Sequence, residues 1–170
     1  TPMITVLEVM GRNAGWLTAA SALSRLSGNV GPSLIYLCER DFDDERFIED
    51  VREKLKERKG IIVAVSEGIK YKNGEYVSSQ MQSGTKDVFG HFYLAGVGRY
   101  LECLVRNQIG CKVRSIELSL MQRAAMHIAS ETDITESRML GMKALQCALE
   151  GRTGEMASVK RIPGRTYGVK

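Results

Sequence analysis

Short apolar runs alternate with amphipathic helical segments along almost the whole chain, and this alternation is the feature that most restricts its fold. The clearest run is IIVAVSEG at residues 61–68, which is continuously apolar over most of its length, as a central strand of a parallel sheet is. An amphipathic segment at residues 41–60 leads directly into it. Strands that alternate with helices predict an α/β fold with a mainly parallel sheet and helices on both faces, in three layers.

The same periodicity predicts the remaining elements. Apolar or alternating runs predict strands, and apolar residues repeated every three to four positions predict helices. The predicted strands are residues 4–9, 34–38, 61–68, 112–118 and 155–162, and the predicted helices are residues 13–26, 41–60, 91–106 and 133–151. No repeat, low-complexity tract or interior boundary interrupts the pattern, so residues 1–170 are predicted to act as one domain.

Capping and turn residues add local detail. In the segment 41–60, Asp43 is placed to start the helix and Gly60 to stop it. Asn13 is a candidate cap for the first helix. In the last helix, Asp133 is followed three residues later by Glu136, which resembles a capping box. A further turn is predicted at residues 73–74, where Asn-Gly is a hairpin signal.

Composition excludes several classes of function. The net charge of +4 is too small to indicate nucleic-acid binding by itself, although it suits a phosphorylated substrate. No run approaches the roughly 18 apolar residues of a membrane span, so no membrane is expected as a partner. The four cysteines are scattered, as in a reduced cytoplasmic protein, and only two histidines make a zinc site improbable.

Candidate binding residues follow the predicted strands. In parallel sheets, ligands bind beyond the carboxyl ends of the strands. Gly11 and Arg12 follow the first strand, Glu67 ends the central strand, and Gln122 and Arg123 follow the strand at 112–118. A glycine lets the backbone approach a ligand closely, and a guanidinium can bind phosphate oxygens in a bidentate manner. A carboxylate at a strand end can accept hydrogen bonds from sugar hydroxyls.

Each of these residues also has a simpler interpretation. Arg12 could be an ordinary surface arginine in a turn, and Glu67 a salt-bridge partner. Arg114 and Arg123 could be a pair of surface charges, and His127 is interpreted as structural. The sequence contains neither a GxxxxGK[ST] loop nor a GxSxG elbow, so P-loop and serine-hydrolase chemistry are not indicated.

Taken together, the motifs resemble the phosphofructokinase family, and its pyrophosphate-dependent branch most of all. EVMGRNAGW is similar to the MGR motif of the family, VAVSEGI to its EG motif, and VRSIELSLMQR to its arginine and QR segment. The segments DVFGHFYLAGVGRYLECLV, HIASETD and ALEGRTGEM follow in the order found in the pyrophosphate-type members. The resemblance covers nearly the whole chain.

The resemblance implies roles for these residues. Met10, Gly11 and Arg12 would contact fructose 6-phosphate, and Arg12 would also reach the transferring phosphoryl group, which makes it the catalytic residue. Glu67 would bind the sugar hydroxyls. Arg123 would bind the sugar phosphate from the same subunit, and Arg114 would bind it across a subunit boundary. The rest of the QR segment would also line the substrate, namely Leu120, Met121 and Gln122.

The chain departs from the family pattern in three ways. Met3 stands where the family often has an arginine, and Leu120 where it commonly has histidine or tyrosine. The glycine-rich GGD segment and the TIDND-like segment are not among these residues. In the family those segments hold the phosphoryl donor, its Mg²⁺ and the catalytic base. Because the chain also opens at Thr1-Pro2, directly before a predicted strand, we expect a portion of a longer enzyme that is inactive alone.

The resemblance therefore implies a glycolytic phosphotransferase that converts fructose 6-phosphate and pyrophosphate to fructose 1,6-bisphosphate. It would be a cytoplasmic homo-oligomer, a dimer or a tetramer, with shared active sites. Two alternatives stay open. ATP could be the donor, since donor choice lies mostly outside this chain, or the chain could be a non-catalytic module that binds a sugar phosphate.

Overall fold

The structure, a computed structural model, describes residues 2–28, 30–81, 96–164 and 168. It divides the chain into two compact units, one that ends at Arg123 and one that begins at Ala124. The sequence pattern indicated no boundary at this point. Among the described residues, no helix is both long and apolar enough to cross a membrane.

The strands all lie in the first unit, and the helices lie in both. In chain order the strands are β1 (Met3–Val9), β2 (Leu34–Tyr36), β3 (Asp41–Phe42), β4 (Gly60–Ser66), β5 (Lys70–Tyr71) and β6 (Lys112–Glu117). The α-helices are α1 (Trp16–Ala20), α2 (Asp44–Glu57), α3 (Val97–Ile109), α4 (Ser119–Arg123) and α5 (Glu131–Leu149), with 3-10 turns at Ser21–Ser27, Val77–Met81 and Met126–Ile128.

The main sheet is parallel, as predicted. Its four strands stand in the order β2-β4-β1-β6, so β4 and β1 are central and β2 and β6 are the edges. β4 is buried along almost its whole length, which explains its continuously apolar sequence. Strands β3 and β5 form a separate two-stranded parallel ladder.

Helices cover both faces of the sheet in the first unit. Val6 and Val63 lie on the face where Phe47 of α2 and Leu101 of α3 complete the core. Successive side chains of a strand alternate between faces, so Ser66 of β4 lies on the opposite face from Val63. There the Ser66 hydroxyl hydrogen-bonds the buried hydroxyl of Thr18 in α1 over 2.8 Å. The predicted three-layer α/β arrangement is therefore confirmed.

Helix α2 begins where the sequence predicts and ends earlier. The Asp43 carboxylate accepts a hydrogen bond from the Arg46 N–H at 2.8 Å and so caps the helix. The helix ends at Glu57, and Arg58 is already extended. Gly60 does not stop the helix, because it is the first residue of β4 and pairs with Met3 of β1.

Two other predicted caps are wrong. Asn13 does not cap the first helix, because α1 begins only at Trp16, after Gly15, and continues as the 3-10 turn. Helix α5 begins at Glu131 with Ser130 as its cap, so the Asp133–Glu136 box lies inside the helix. The Ser130 hydroxyl accepts a hydrogen bond from the Asp133 N–H at 3.4 Å, which explains the earlier start.

Three further predictions have different outcomes. The turn at Asn73-Gly74 is confirmed, with Gly74 at φ +85°. The helix predicted at 91–106 is present as α3, Val97–Ile109, while residues 91–95 lie outside the described residues. The strand predicted at 155–162 is wrong, because residues 155–160 are irregular. A segment with strand-forming residues becomes a strand only where another strand satisfies its backbone hydrogen bonds.

Candidate functional site at the carboxyl edge of the sheet

The residues that follow β1 are held at the carboxyl edge by side chains from two distant segments. The Met10 N–H donates to Gln122 Oε1 at 3.0 Å, and the Gly11 N–H donates to Glu67 Oε1 at 3.2 Å. The segments involved are separated by 56 to 112 positions along the chain. The structure thus brings Met10, Gly11, Glu67 and Gln122 together, as the positions of these residues at strand ends predict.

Glu67 is anchored by its backbone and by one carboxylate oxygen. Its N–H donates to the Val9 carbonyl oxygen at 3.0 Å, which extends the β1–β4 ladder by one bond. The hydrogen bond from Gly11 occupies Oε1. Oε2 has no donor among the described residues, and the side chain is half-buried, so this oxygen can accept a hydrogen bond from a ligand hydroxyl.

The backbones of Arg12 and Gly68 are in direct contact. A Cβ atom added to Gly68 would lie 1.8 Å from the Arg12 carbonyl oxygen and 2.5 Å from its carbon. Only glycine permits this approach, because Cβ atoms in proteins essentially never come within 3.0 Å of another heavy atom. Gly68 therefore fixes where the Arg12 backbone lies relative to Glu67.

Arg12 is half-buried, and among the described residues its guanidinium has no ion-pair partner. Gly11 before it has φ +148°, and a Cβ there would lie 2.6 Å from the Ala14 carbonyl oxygen. The turn thus needs glycine, and it places the arginine directly after the residue that binds Glu67, with its charge available for an anion.

The two other predicted arginines lie in different places. Arg123 ends α4 and directly follows Gln122, whose side chain binds the edge, while Leu120, Met121 and Arg123 are exposed. Arg114 lies in the middle of β6 and pairs in register with Thr5 of β1. Five residues of strand separate Thr5 from Met10, or roughly 16 Å. Arg114 is therefore not part of the cluster at its own chain's edge.

Glu8, two residues before Met10, is a buried carboxylate to which the sequence assigned no role. It is 5% exposed, and its Oε2 accepts a hydrogen bond from the Gly98 N–H at the start of α3, at 2.7 Å. Burial raises the pKa of Glu8 to about 7; the Gly98 N–H opposes this shift, and the charges of Glu117 and Glu67 add to it. The signal in the sequence was a lone carboxylate inside an apolar strand, two residues before Met10.

Glu8 predicts a pH-dependent stability. Its folded pKa of about 7 exceeds the usual 4.5, so the folded state holds an extra proton between these values and stability falls as pH rises through this window. We expect the free energy of unfolding of Glu8→Gln, relative to that of wild type, to rise by about 2–3 kcal/mol between pH 4.5 and pH 8. Urea unfolding at both pH values measures this. Glu49→Gln, at an exposed position of α2, is the control, and a Glu8→Gln difference independent of pH would contradict the prediction.

No group of three or more histidine, cysteine, aspartate or glutamate side chains that could hold a metal ion occurs in the part of the chain that the structure describes. At the edge, the groups left for a ligand are Glu67 Oε2, which can accept a hydrogen bond from a hydroxyl, and the Arg12 guanidinium, which can bind an anion.

Comparison with known proteins identifies the family of the chain. A family model described as phosphofructokinase matches residues 2–148. The chain belongs to the phosphofructokinase family. The resemblance drawn from the three motifs is therefore confirmed.

Individual phosphofructokinase relatives match most of the chain. It is 37% identical over 164 residues to the pyrophosphate–fructose 6-phosphate 1-phosphotransferase of Halomonas elongata, which is 96% of this chain and 38% of that protein. The Rhodospirillum rubrum protein of that name is 39% identical over 165 residues, covering 94% and 41%. The crystal structure of pyrophosphate-dependent phosphofructokinase from Nitrosospira multiformis superposes with a TM-score of 0.69 and 29% identity, covering 100% and 38%. The chain thus spans about two fifths of these relatives.

Proposed function

We propose that the whole enzyme transfers a phosphoryl group from pyrophosphate to fructose 6-phosphate and that this chain supplies the sugar-phosphate side of the site. The observation that carries the proposal is the cluster in which the Gly11 N–H binds Glu67 beside Arg12. At the carboxyl edge, where α/β sheets bind ligands, this cluster places a carboxylate that can accept hydrogen bonds from hydroxyls beside an arginine with no ion-pair partner among the described residues. The relatives' names supply the identity of the substrates.

In this proposal each residue acts on one part of the substrate. Glu67 Oε2 accepts hydrogen bonds from sugar hydroxyls, and Arg123 binds the sugar phosphate. Arg12 stabilises the negative charge on the transferring phosphoryl group, a transition-state interaction that raises the rate rather than affinity alone. Arg114 binds the sugar phosphate of a neighbouring subunit in a cytoplasmic homo-oligomer. Mg²⁺, which neutralises charge on the diphosphate, belongs to the part of the enzyme outside this chain.

The test is turnover by the full-length enzyme with Mg²⁺, with formation of fructose 1,6-bisphosphate measured separately for pyrophosphate and for ATP. We expect product with pyrophosphate. Product with ATP alone would assign the ATP-dependent alternative. Calorimetric binding of fructose 6-phosphate without turnover from either donor would assign a binding module and overturn the proposal.

A further inference from the structure

Two cationic side chains lie on one face of the edge strand β6. β6 pairs with β1 on one side, and its residues alternate between the faces of the sheet. Val113 is buried, and Ser115 donates from its N–H and hydroxyl to Glu102 of α3 at 3.0 and 2.6 Å. Lys112 and Arg114 therefore lie on the opposite face from α3, and both are exposed.

The neighbouring strand offers these cations no counter-charge. On the same face of β1, Met3 stands in register with Lys112, and Thr5 with Arg114. The carboxylate of β1, Glu8, belongs to the other face, where it binds the start of α3. The two cations thus lie beside an apolar and a neutral polar side chain.

Two lysines of α2 show the usual arrangement, in which a cation has a carboxylate partner. Lys54 bonds to Glu57 and Lys56 to Glu53, each at 2.7 Å. Among the described residues, neither Lys112 nor Arg114 has a side-chain hydrogen bond or an ion pair. Their Cα atoms are two residues apart along the strand, or roughly 7 Å, so the like charges repel each other unless an anion lies between them.

We propose that Lys112 and Arg114 bind one phosphate group together, which makes Lys112 a further sugar-phosphate residue of the enzyme. This inference rests on the proposed function, in which Arg114 binds the phosphate of fructose 6-phosphate. The planar guanidinium contacts two phosphate oxygens, and the compact ammonium of Lys112 neutralises the remaining charge of the dianion. Both residues lie far along β6 from Met10 of their own chain, so the phosphate they bind belongs to the site of a neighbouring subunit.

The primary test is Lys112→Gln in the full-length enzyme. We expect the KM for fructose 6-phosphate to rise about tenfold, because one charge-assisted contact to the phosphate is lost. The kcat and the KM for pyrophosphate stay unchanged. The matched control is Lys72→Gln, an exposed lysine in the turn after β5, which should change none of these constants. An unchanged KM for fructose 6-phosphate, or a rise only in the KM for pyrophosphate, would overturn the proposal.

A second variant separates binding from a structural role. Because Met3 stands in register with Lys112, Met3→Lys added to Lys112→Gln returns a cation to the same face, and we expect it to lower the raised KM several-fold. A raised KM that Met3→Lys leaves unchanged, accompanied by a lower Tm, would assign Lys112 to stability and overturn the inference.

Binding of inorganic phosphate, measured by calorimetry, decides the question independently of turnover. We expect Lys112→Gln to weaken phosphate binding and Lys72→Gln to leave it unchanged. If the wild-type enzyme shows no turnover, the proposed function fails, yet this measurement still tests the pair. Equal phosphate affinity in wild type and Lys112→Gln would overturn it.

Discussion

Replacing Gly68 with alanine is expected to lower the kcat/KM of the full-length enzyme about 100-fold or more. The added Cβ would lie 1.8 Å from the Arg12 carbonyl oxygen, and contacts under 3.0 Å do not persist, so the Arg12 backbone must move by at least ~1 Å. A misplacement of about 1 Å at a catalytic group can cost roughly 100-fold in rate. The strain should also lower stability by about 1–3 kcal/mol, which a thermal unfolding curve measures.

Gly60→Ala is the matched control for this variant. Gly60 is the first residue of β4, the strand that ends two residues before Gly68, and a Cβ there meets nothing within 4 Å. We therefore expect Gly60→Ala to retain wild-type kcat/KM. Circular dichroism of Gly68→Ala establishes that the fold is retained, and a folded Gly68→Ala enzyme with wild-type kcat/KM would show that the contact does not position Arg12.

Sequence patterns predicted the elements that have a clear local signal. The helix after Asp43 and the strand before Glu67 follow from a cap and from a continuous apolar run, and both are confirmed. The boundaries failed where the deciding contact is distant. Gly60 continues into a strand because β1 is present to pair with it. Residues 155–162 are predicted as a strand from their local sequence alone, but 155–160 are irregular.

The edge site was predictable only in part, for the same reason. Strand ends in a parallel sheet meet at one edge, so the positions of Gly11 and Glu67 in the sequence predict that they lie close together. The bond from the Met10 N–H to Gln122 spans 112 positions, and the burial of Glu8 depends on the start of α3. Such contacts are set by the packing of separate elements, which local periodicity does not encode. The distance of Arg114 from the edge likewise follows only from the register of β6 on β1.

A second large effect is expected from replacing Arg12 and Arg114, which lie far apart in one chain. Arg12 lies at the carboxyl edge of its chain, whereas Arg114 lies roughly 16 Å back along the sheet. If both act on one substrate, the arginines of one site come from two subunits. Arg12→Ala should lower kcat about 10²–10³-fold because a transition-state contact is lost. Arg114→Ala should raise the KM for fructose 6-phosphate about ten- to 100-fold, because the lost contact binds ground and transition states alike.

A mixed oligomer of the two variants distinguishes a shared site from a site within one chain. In a dimer of one Arg12→Ala chain and one Arg114→Ala chain, one site carries both lesions and the other carries neither. Random mixing gives about half mixed dimers in a symmetric two-chain assembly, so about a quarter of all sites recover wild-type kinetics. Activity at low fructose 6-phosphate, where both parent enzymes are nearly inactive, should therefore rise to about a quarter of the wild-type rate. If a verified mixed oligomer shows no recovery, Arg114 acts on the same chain's site as Arg12, and an unchanged KM in Arg114→Ala removes it from the site.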